Sequence, residues 1–303
     1  LSHLFCLLAI LIWSSLKITG KLVGTGIDPF VLTAWRFVIG GLALLPFALR
    51  QSGSQSLKLK PSSILRIGSL GILNVCVSML LLQLSIYYGK ASLTAVIVSM
   101  NPLFVSVFAL LLIKEQLRPS QFISLALGLV GLLVIIFAET ELQLSTYRNL
   151  PVGIVFAVLA ALIFGLYTVL TKSAIQQFGN LKTNSISFLI GGFILLGVSV
   201  LLGKDIWIAL TLSNLVFMTH LGLVITGLAY LLYFEGMKRI SAATASGYFF
   251  LKPAIASILA YIILGETLSR GQILGIILII ASLNSFVLNR LSTFGKRTRR
   301  VSQ

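Results

Sequence analysis

The stretch YFFLKPAIASILAYIILGETL, Tyr248–Leu268, sets a lysine beside a proline inside an otherwise apolar run. Earlier in the chain stands NPLFVSVFALLLIKEQL, Asn101–Leu117. A shift of 151 residues places Pro102 on Pro253, Ser106 on Ser257, Ala109 on Ala260, Glu115 on Glu266 and Leu117 on Leu268. Two segments with a proline at the start and a glutamate at the end therefore occupy corresponding places in two copies of something larger.

The surrounding composition says what that larger unit is made of. Of 303 residues, 57% are hydrophobic and 10% charged, which leaves too little polar surface for a water-soluble fold. Ten apolar runs near membrane-spanning length recur along the chain: Leu4–Val23, Phe30–Leu49, Ile64–Tyr87, Ala91–Ile113, Phe122–Ala138, Val152–Thr171, Thr183–Leu202, Leu215–Gly236, Ala242–Leu264 and Gln272–Leu288. The first lacks a basic lead and a small-residue cleavage site, so it reads as a retained helix rather than a signal peptide. Cys6 and Cys76 lie in apolar runs, and with the distant His3 and His220 they have no metal-ligand spacing. Neither a metal nor a cofactor is expected.

The same 151-residue shift, without a gap, pairs Gly40-Gly41 with Gly191-Gly192, Gly71 with Gly222, Lys21 with Lys172, Trp13 with Phe164 and Gln121 with Gln272. The expected fold is an all-α polytopic membrane protein of ten transmembrane helices in two inverted five-helix repeats, residues 1–138 and 151–290, followed by a basic tail, 291–303. An odd number of helices per copy forces the second copy to enter the membrane from the opposite side. Inverted repeats with helices interrupted at matching positions point to a secondary transporter whose site lies near the bilayer midplane.

The formal charge of +16 has a topological reading. With the N-terminus in the cytoplasm, fifteen of the 23 Lys and Arg residues fall on cytoplasmic loops and the tail. Five fall outside: Lys21, Lys90, Arg148, Lys204 and Arg270. This is the positive-inside pattern of a protein in the cytoplasmic membrane with both termini cytoplasmic. The basic tail then serves contact with the membrane surface rather than nucleic acid.

Prolines divide into two groups. Pro29, Pro61, Pro119 and Pro151 open apolar runs, where the first turn tolerates a missing N–H, and Asp28 stands where an N-cap belongs. Pro46, Pro102 and Pro253 fall inside runs and free backbone carbonyls that only protein or a water-lined cavity satisfies.

With these features assembled, the chain resembles the EamA-type transporters of the drug/metabolite transporter superfamily over nearly its whole length. The resemblance rests on an aromatic followed by a small residue in the first helix of each half (Trp13-Ser14 and Phe164-Gly165), Arg36 in the second helix, and the fourth-helix prolines. It rests also on the E-x-L closures Glu115-Gln116-Leu117 and Glu266-Thr267-Leu268. It implies ten helices, cytoplasmic termini and transport of small organic solutes, often export. Where many members carry a glutamate before the ninth-helix proline, this chain has Lys252, so no coupling role passes from that acid.

Lys252 lies about 15 Å into its run, at 1.5 Å per residue, near the middle of a core about 30 Å thick. A central lysine costs roughly 2.5–3.5 kcal/mol to insert, a cost that a substrate site or carbonyls freed by Pro253 would offset. The repeat sets Asn101 opposite it. On a 3.6-residue helix Tyr248 shares the Lys252 face, and Thr94 shares the Asn101 face. Trp13 and Phe164 are aromatic walls of the same cavity or ordinary packing residues. Arg36 lies near a span end, where snorkelling or a loop acid competes with a second anion contact, and Lys17, similarly placed, reads as a snorkelling residue; Lys252 is then the only deeply placed charge. The substrate-binding set is thus Lys252, Asn101, Tyr248, Trp13, Thr94, Phe164 and Arg36, with helix breaks at Pro102 and Pro253 and no catalytic residues. Alternatively Lys252 itself gives up a proton during the cycle. Glu115 and Glu266 read as structural residues at helix ends, and Glu235 as a weak coupling candidate. Gly271-x-x-x-Gly275 and Gly128-x-x-Gly131 mark close helix packing, within one chain or in a homodimer.

The expected function is a secondary transporter, in the export direction, of amino-acid-like, carboxylated or amphipathic metabolites by alternating access. No G-x-x-x-x-G-K-[ST] sequence is present to power it with a nucleotide. A passive channel would want charged rings or filter loops, and an intramembrane enzyme would want paired carboxylates or histidine clusters. Neither pattern occurs.

Overall fold

The computed structural model describes residues 1–15, 27–51, 60–89, 91–117, 119–139, 149–209, 211–264, 269–271 and 273–282, and among them every regular element is helical. In chain order these are α1 (Ser2–Ser14), α2 (Pro29–Gln51), α3 (Pro61–Tyr88), α4 (Ala91–Ser99), α5 (Asn101–Leu112) and α6 (Pro119–Glu139). They continue as α7 (Leu150–Phe178), α8 (Asn180–Leu201), α9 (Leu212–Met237), α10 (Ala242–Gly247), α11 (Leu251–Leu264) and α12 (Ile273–Ser282).

Local chemistry sets the helix starts. Pro29, Pro61 and Pro119 each occupy the first position of a helix, and Pro151 the second of α7. Asp28 Oδ1 accepts from Phe30 N at 2.8 Å, Asn149 Oδ1 from Val152 N at 3.3 Å, and Ser241 Oγ from Thr244 N at 2.9 Å. Each cap satisfies a backbone donor that the helix start leaves open. Pro46 lies inside α2, which continues through it.

Six described helices are long and apolar enough to cross a membrane. α1 and α12 are shorter apolar helices, and Ala242–Leu264 is divided by a 3-10 turn at Tyr248–Phe250. Large side chains such as Leu111, Phe137, Val200, Leu201 and Ile262 are exposed on the outside of the bundle, where hydrocarbon is their natural solvent. The chain is a multi-pass membrane protein.

The helices interlock through contacts that repeat themselves. α2 runs along α8, the helix 151 residues later; α1 packs on α9 as α7 packs on α3; α2 meets the middle of α9 as α8 meets the middle of α3. The glycines make this possible. A Cβ on Gly40 would lie 2.9 Å from the Gly222 carbonyl oxygen, and one on Gly191 would lie 2.5 Å from the Gly71 carbonyl oxygen. Likewise Gly41 abuts Leu189 and Gly192 abuts Val38. Each pair of contacts is related by the same shift of 151 that relates the sequences. Gly131 and Gly275 also meet, joining α6 to α12, so this small-residue seam lies within one chain.

Two departures from regular α-helix stand at corresponding places. Ile72–Met79 in α3 and His220–Leu228 in α9 are wound as π-helix. Such turns displace backbone carbonyls from the usual ladder and often accompany functional sites.

Candidate functional site

A cavity of about 50 Å³ lies between the first and second halves of the chain. It holds a few waters at most. Solute pockets run to about 300–1,000 Å³, well above this volume. Its walls follow the internal repeat: Trp13 and Phe164, Met79 and Tyr230, and Val98 and Phe249 are lining pairs related by the shift of 151. Leu82 and Ile225 complete the apolar part, Thr226 adds a hydroxyl-bearing side chain, and among the described residues Arg36 and Lys252 are the two charged ones on its surface.

Trp13 is the centre of the aromatic wall. Its ring lies 5.1 Å from Tyr230, 5.3 Å from Phe249 and 6.4 Å from Phe164, mostly edge to face. Its indole N–H donates to the Ile225 carbonyl at 3.0 Å. That carbonyl belongs to the π-wound part of α9, where Thr226 Oγ1 also donates to Leu221 O at 2.7 Å. The π turn thus supplies the acceptor that fixes the tryptophan's orientation.

Lys252 extends over this wall, with Nζ 5.0 Å from the Phe249 ring centre and 5.6 Å from that of Trp13. Cation–π contacts of this kind are worth about 0.5–2 kcal/mol. They offset part of the cost of a membrane-embedded ammonium without neutralising it. Arg36, only 3% exposed, reaches the same cavity from α2. Its guanidinium lies 5.0 Å from the Phe37 ring centre, and its Nε has no hydrogen-bond partner. Lys252 is therefore not the only deeply placed charge: Arg36 turns inward instead of snorkelling.

Of the seven residues expected to bind substrate, the structure brings four to the cavity: Lys252, Arg36, Trp13 and Phe164. The other three lie elsewhere. Asn101 is fully buried against α7, donating to Ala161 O at 3.2 Å. The Thr94 hydroxyl is held by the Ser85 hydroxyl at 2.6 Å, and the Tyr248 hydroxyl by His3 Nδ1 at 2.8 Å. The reason is helical phase. Tyr248–Phe250 is a 3-10 turn, in which residues i and i+3 eclipse, so Phe249 and not Tyr248 comes beneath Lys252. In the first half a turn at Met100 separates α4 from α5 just before Pro102, and Val98 rather than Asn101 faces inward. Pro102 is the second residue of α5 and Pro253 the third of α11, so the breaks fall one and two residues before a proline.

The cavity residues that sequence reasoning missed are chiefly Tyr230 and Phe249. The shift of 151 pairs them with Met79 and Val98, which carried no chemical signal of their own.

The remaining candidates have structural partners. Glu115 accepts from Lys172 Nζ at 3.0 Å and from Ala242 N at 2.9 Å, while Lys172 also donates to Ile240 O at 2.9 Å. Rather than fixing only the turn after its own helix, Glu115 ties the first half to α7 and to the start of α10. Glu235 pairs with Lys238 at 2.7 Å and accepts from Asn180 at 3.0 Å, away from the cavity lining. Lys17, Glu266 and the tail 291–303 lie outside the described residues.

Two stretches of this chain, 1–137 and 151–287, match the model of the EamA-like transporter family. The chain belongs to that family. An "Uncharacterized transporter" of Clostridium kluyveri is 34% identical, with 99% of this chain and 97% of the relative covered. Protein PecM of Dickeya dadantii is 27% identical over 77% of this chain and 76% of its own. A protein of known crystal structure shares the fold, with a TM-score of 0.78 at 21% identity over 96% of this chain and 98% of that one. As an EamA-like transporter the protein moves small solutes across a membrane, and in the aromatic cavity two cationic side chains meet apolar surface.

Proposed function

We propose that the protein carries small organic anions, carboxylated or amphipathic and with an apolar body, through the cavity between its halves by alternating access. The observation that carries this reading is Lys252. Its ammonium lies over the Trp13 and Phe249 rings, with no carboxylate among the described residues of the cavity wall. A charge held at that cost and left without a protein counter-ion has its partner delivered by the solute. The aromatic rings then meet the solute's apolar body.

Ten spans in two inverted repeats are the architecture we propose for this cycle. The paired glycine contacts, the paired π turns and the paired breaks before Pro102 and Pro253 support it, because symmetry-related halves exchange conformations when the carrier turns. Export from the cytoplasm, through the cytoplasmic membrane and with both termini inside, is the direction the family resemblance favours.

Reconstitution into liposomes tests the reading. Flux of labelled aromatic and aliphatic carboxylates should saturate and be competed by unlabelled compound. Lys252→Gln should lose most of it, and Lys252→Arg should retain more. Unsaturable flux would make the protein a channel, and unchanged flux in correctly inserted Lys252→Gln would remove the lysine from the site.

A further inference from the structure

The transport reading needs one anionic group on the solute, but the cavity presents two cations. Arg36 on α2 and Lys252 on α11 come from different halves of the sequence and line the same small space. Neither has an acidic partner in the described residues. The chain has only seven acidic residues. The four whose side chains are described are engaged elsewhere: Asp28 with Lys204, Glu115 with Lys172, Glu235 with Lys238, and Asp205 with the Trp207 backbone N–H.

We infer that the cavity selects solutes carrying two negative charges, on one phosphate-type group or on two carboxylates, attached to an aromatic or apolar body. The inference rests on the transport reading and narrows it. A monoanion neutralises one cation and leaves the other buried and unpaired, the costly arrangement for a charge out of water. A zwitterion does worse, since its ammonium enters a site that already holds two cations and has no acid among the described residues of its wall. A dianion satisfies both.

The two cations are also chemically distinct. The planar guanidinium of Arg36 presents a fork of N–H donors that matches the paired oxygens of a carboxylate or phosphate. Its Nε is buried and has no hydrogen-bond partner among the described residues, so the guanidinium is not already committed to a protein acceptor through that atom. Lys252 offers a compact charge without directional demand. One site thus combines an orienting donor with a neutralising one, against rings that take an apolar body.

Four probes of similar body separate the alternatives: phenyl phosphate and phthalate as dianions, benzoate as a monoanion and phenylalanine as a zwitterion. Binding to the purified full-length protein is read from quenching of tryptophan fluorescence and from thermal stabilisation at mildly alkaline pH. At least one dianion should bind about tenfold or more tighter than benzoate, with phenylalanine weakest. Which dianion binds tells phosphate from dicarboxylate. Arg36→Gln should collapse the gap by weakening the dianion while sparing benzoate, and Arg36→Lys should keep most of it. Should Arg36→Gln not insert, the ranking in the unaltered protein decides. Benzoate or phenylalanine binding as tightly as the dianions, or a gap that survives in Arg36→Gln, overturns the inference and leaves carboxylate transport standing. Silence from all four overturns it as well, and saturable flux of any other organic anion in liposomes would then keep the broader reading alive.

Discussion

The Lys252 ammonium stands 5.0 Å from the centre of the Phe249 ring, three residues before it in the chain. A continuous α-helix would set both Tyr248 and Phe249 beside Lys252; the 3-10 turn Tyr248–Phe250, in which residues three apart eclipse, aligns Phe249 with it. The turn therefore sets a plain aromatic face beneath the charge and leaves the Tyr248 hydroxyl to bind His3.

Removing that face should be felt in binding more than in folding. Phe249→Leu retains apolar volume but loses a cation–π contact worth about 0.5–2 kcal/mol, so affinity for an anionic probe should fall by about twofold to thirtyfold with thermal stability nearly intact. Tyr248→Phe should spare affinity and cost about 1 kcal/mol through the lost bond to His3. Affinity that follows Tyr248 and ignores Phe249 would contradict the phase assigned to this turn.

The Glu115–Lys172 pair joins the two halves at 3.0 Å, with side-chain exposures of 19% and 11%. Such partial burial places its worth between that of a surface pair and that of a fully buried one, about 1–3 kcal/mol. In a double-mutant cycle, Glu115→Gln and Lys172→Met should each destabilise the protein. The double variant should destabilise it by less than the sum, with a coupling of about 1 kcal/mol or more in thermal unfolding. Strict additivity would show that the two residues do not act together.

A Cβ on Gly71 would collide with the Ser187 carbonyl oxygen, and backbone cannot yield as a side-chain tip can. Gly71→Ala should cost about 3 kcal/mol or more by forcing α3 away from α8. Gly197→Ala on α8 meets nothing within 4 Å, and should be neutral or stabilise by up to about 1 kcal/mol through helix propensity. Expression and melting temperature in detergent compare the two directly. Equal tolerance would argue against the close α3–α8 crossing.

Topology is open to labelling from outside intact cells. In a background with Cys6 and Cys76 replaced, Trp207→Cys, at a position 81% exposed between α8 and α9, should react with a membrane-impermeant maleimide. Lys60→Cys, at the exposed start of α3, should react only after permeabilisation. Reaction of both from the same side would end the inverted-repeat proposal.

The sequence by itself determined the helix starts, the membrane environment and the internal repeat. Each depends on short-range chemistry or on composition: Pro61 and Pro119 open helices because a first turn needs no N–H from them, and Asp28 caps α2 with its own side chain. The constant shift that aligns Gly40 with Gly191 and Gly71 with Gly222 also foreshadowed their reciprocal contacts, since equivalent small residues allow equivalent close approaches. What only the tertiary structure decided was which faces of those helices look inward. A uniform period of 3.6 residues put Tyr248 and Asn101 in the site. The 3-10 turn, the Met100 break and the π segments of α3 and α9 shift that period by fractions of a turn. They bring Phe249, Val98 and Tyr230 inward and bury Asn101 against Ala161. Arg36 could not be assigned from its position along α2, because whether a long cationic side chain snorkels or turns inward depends on what packs around it. Here Phe37 and the cavity wall receive it.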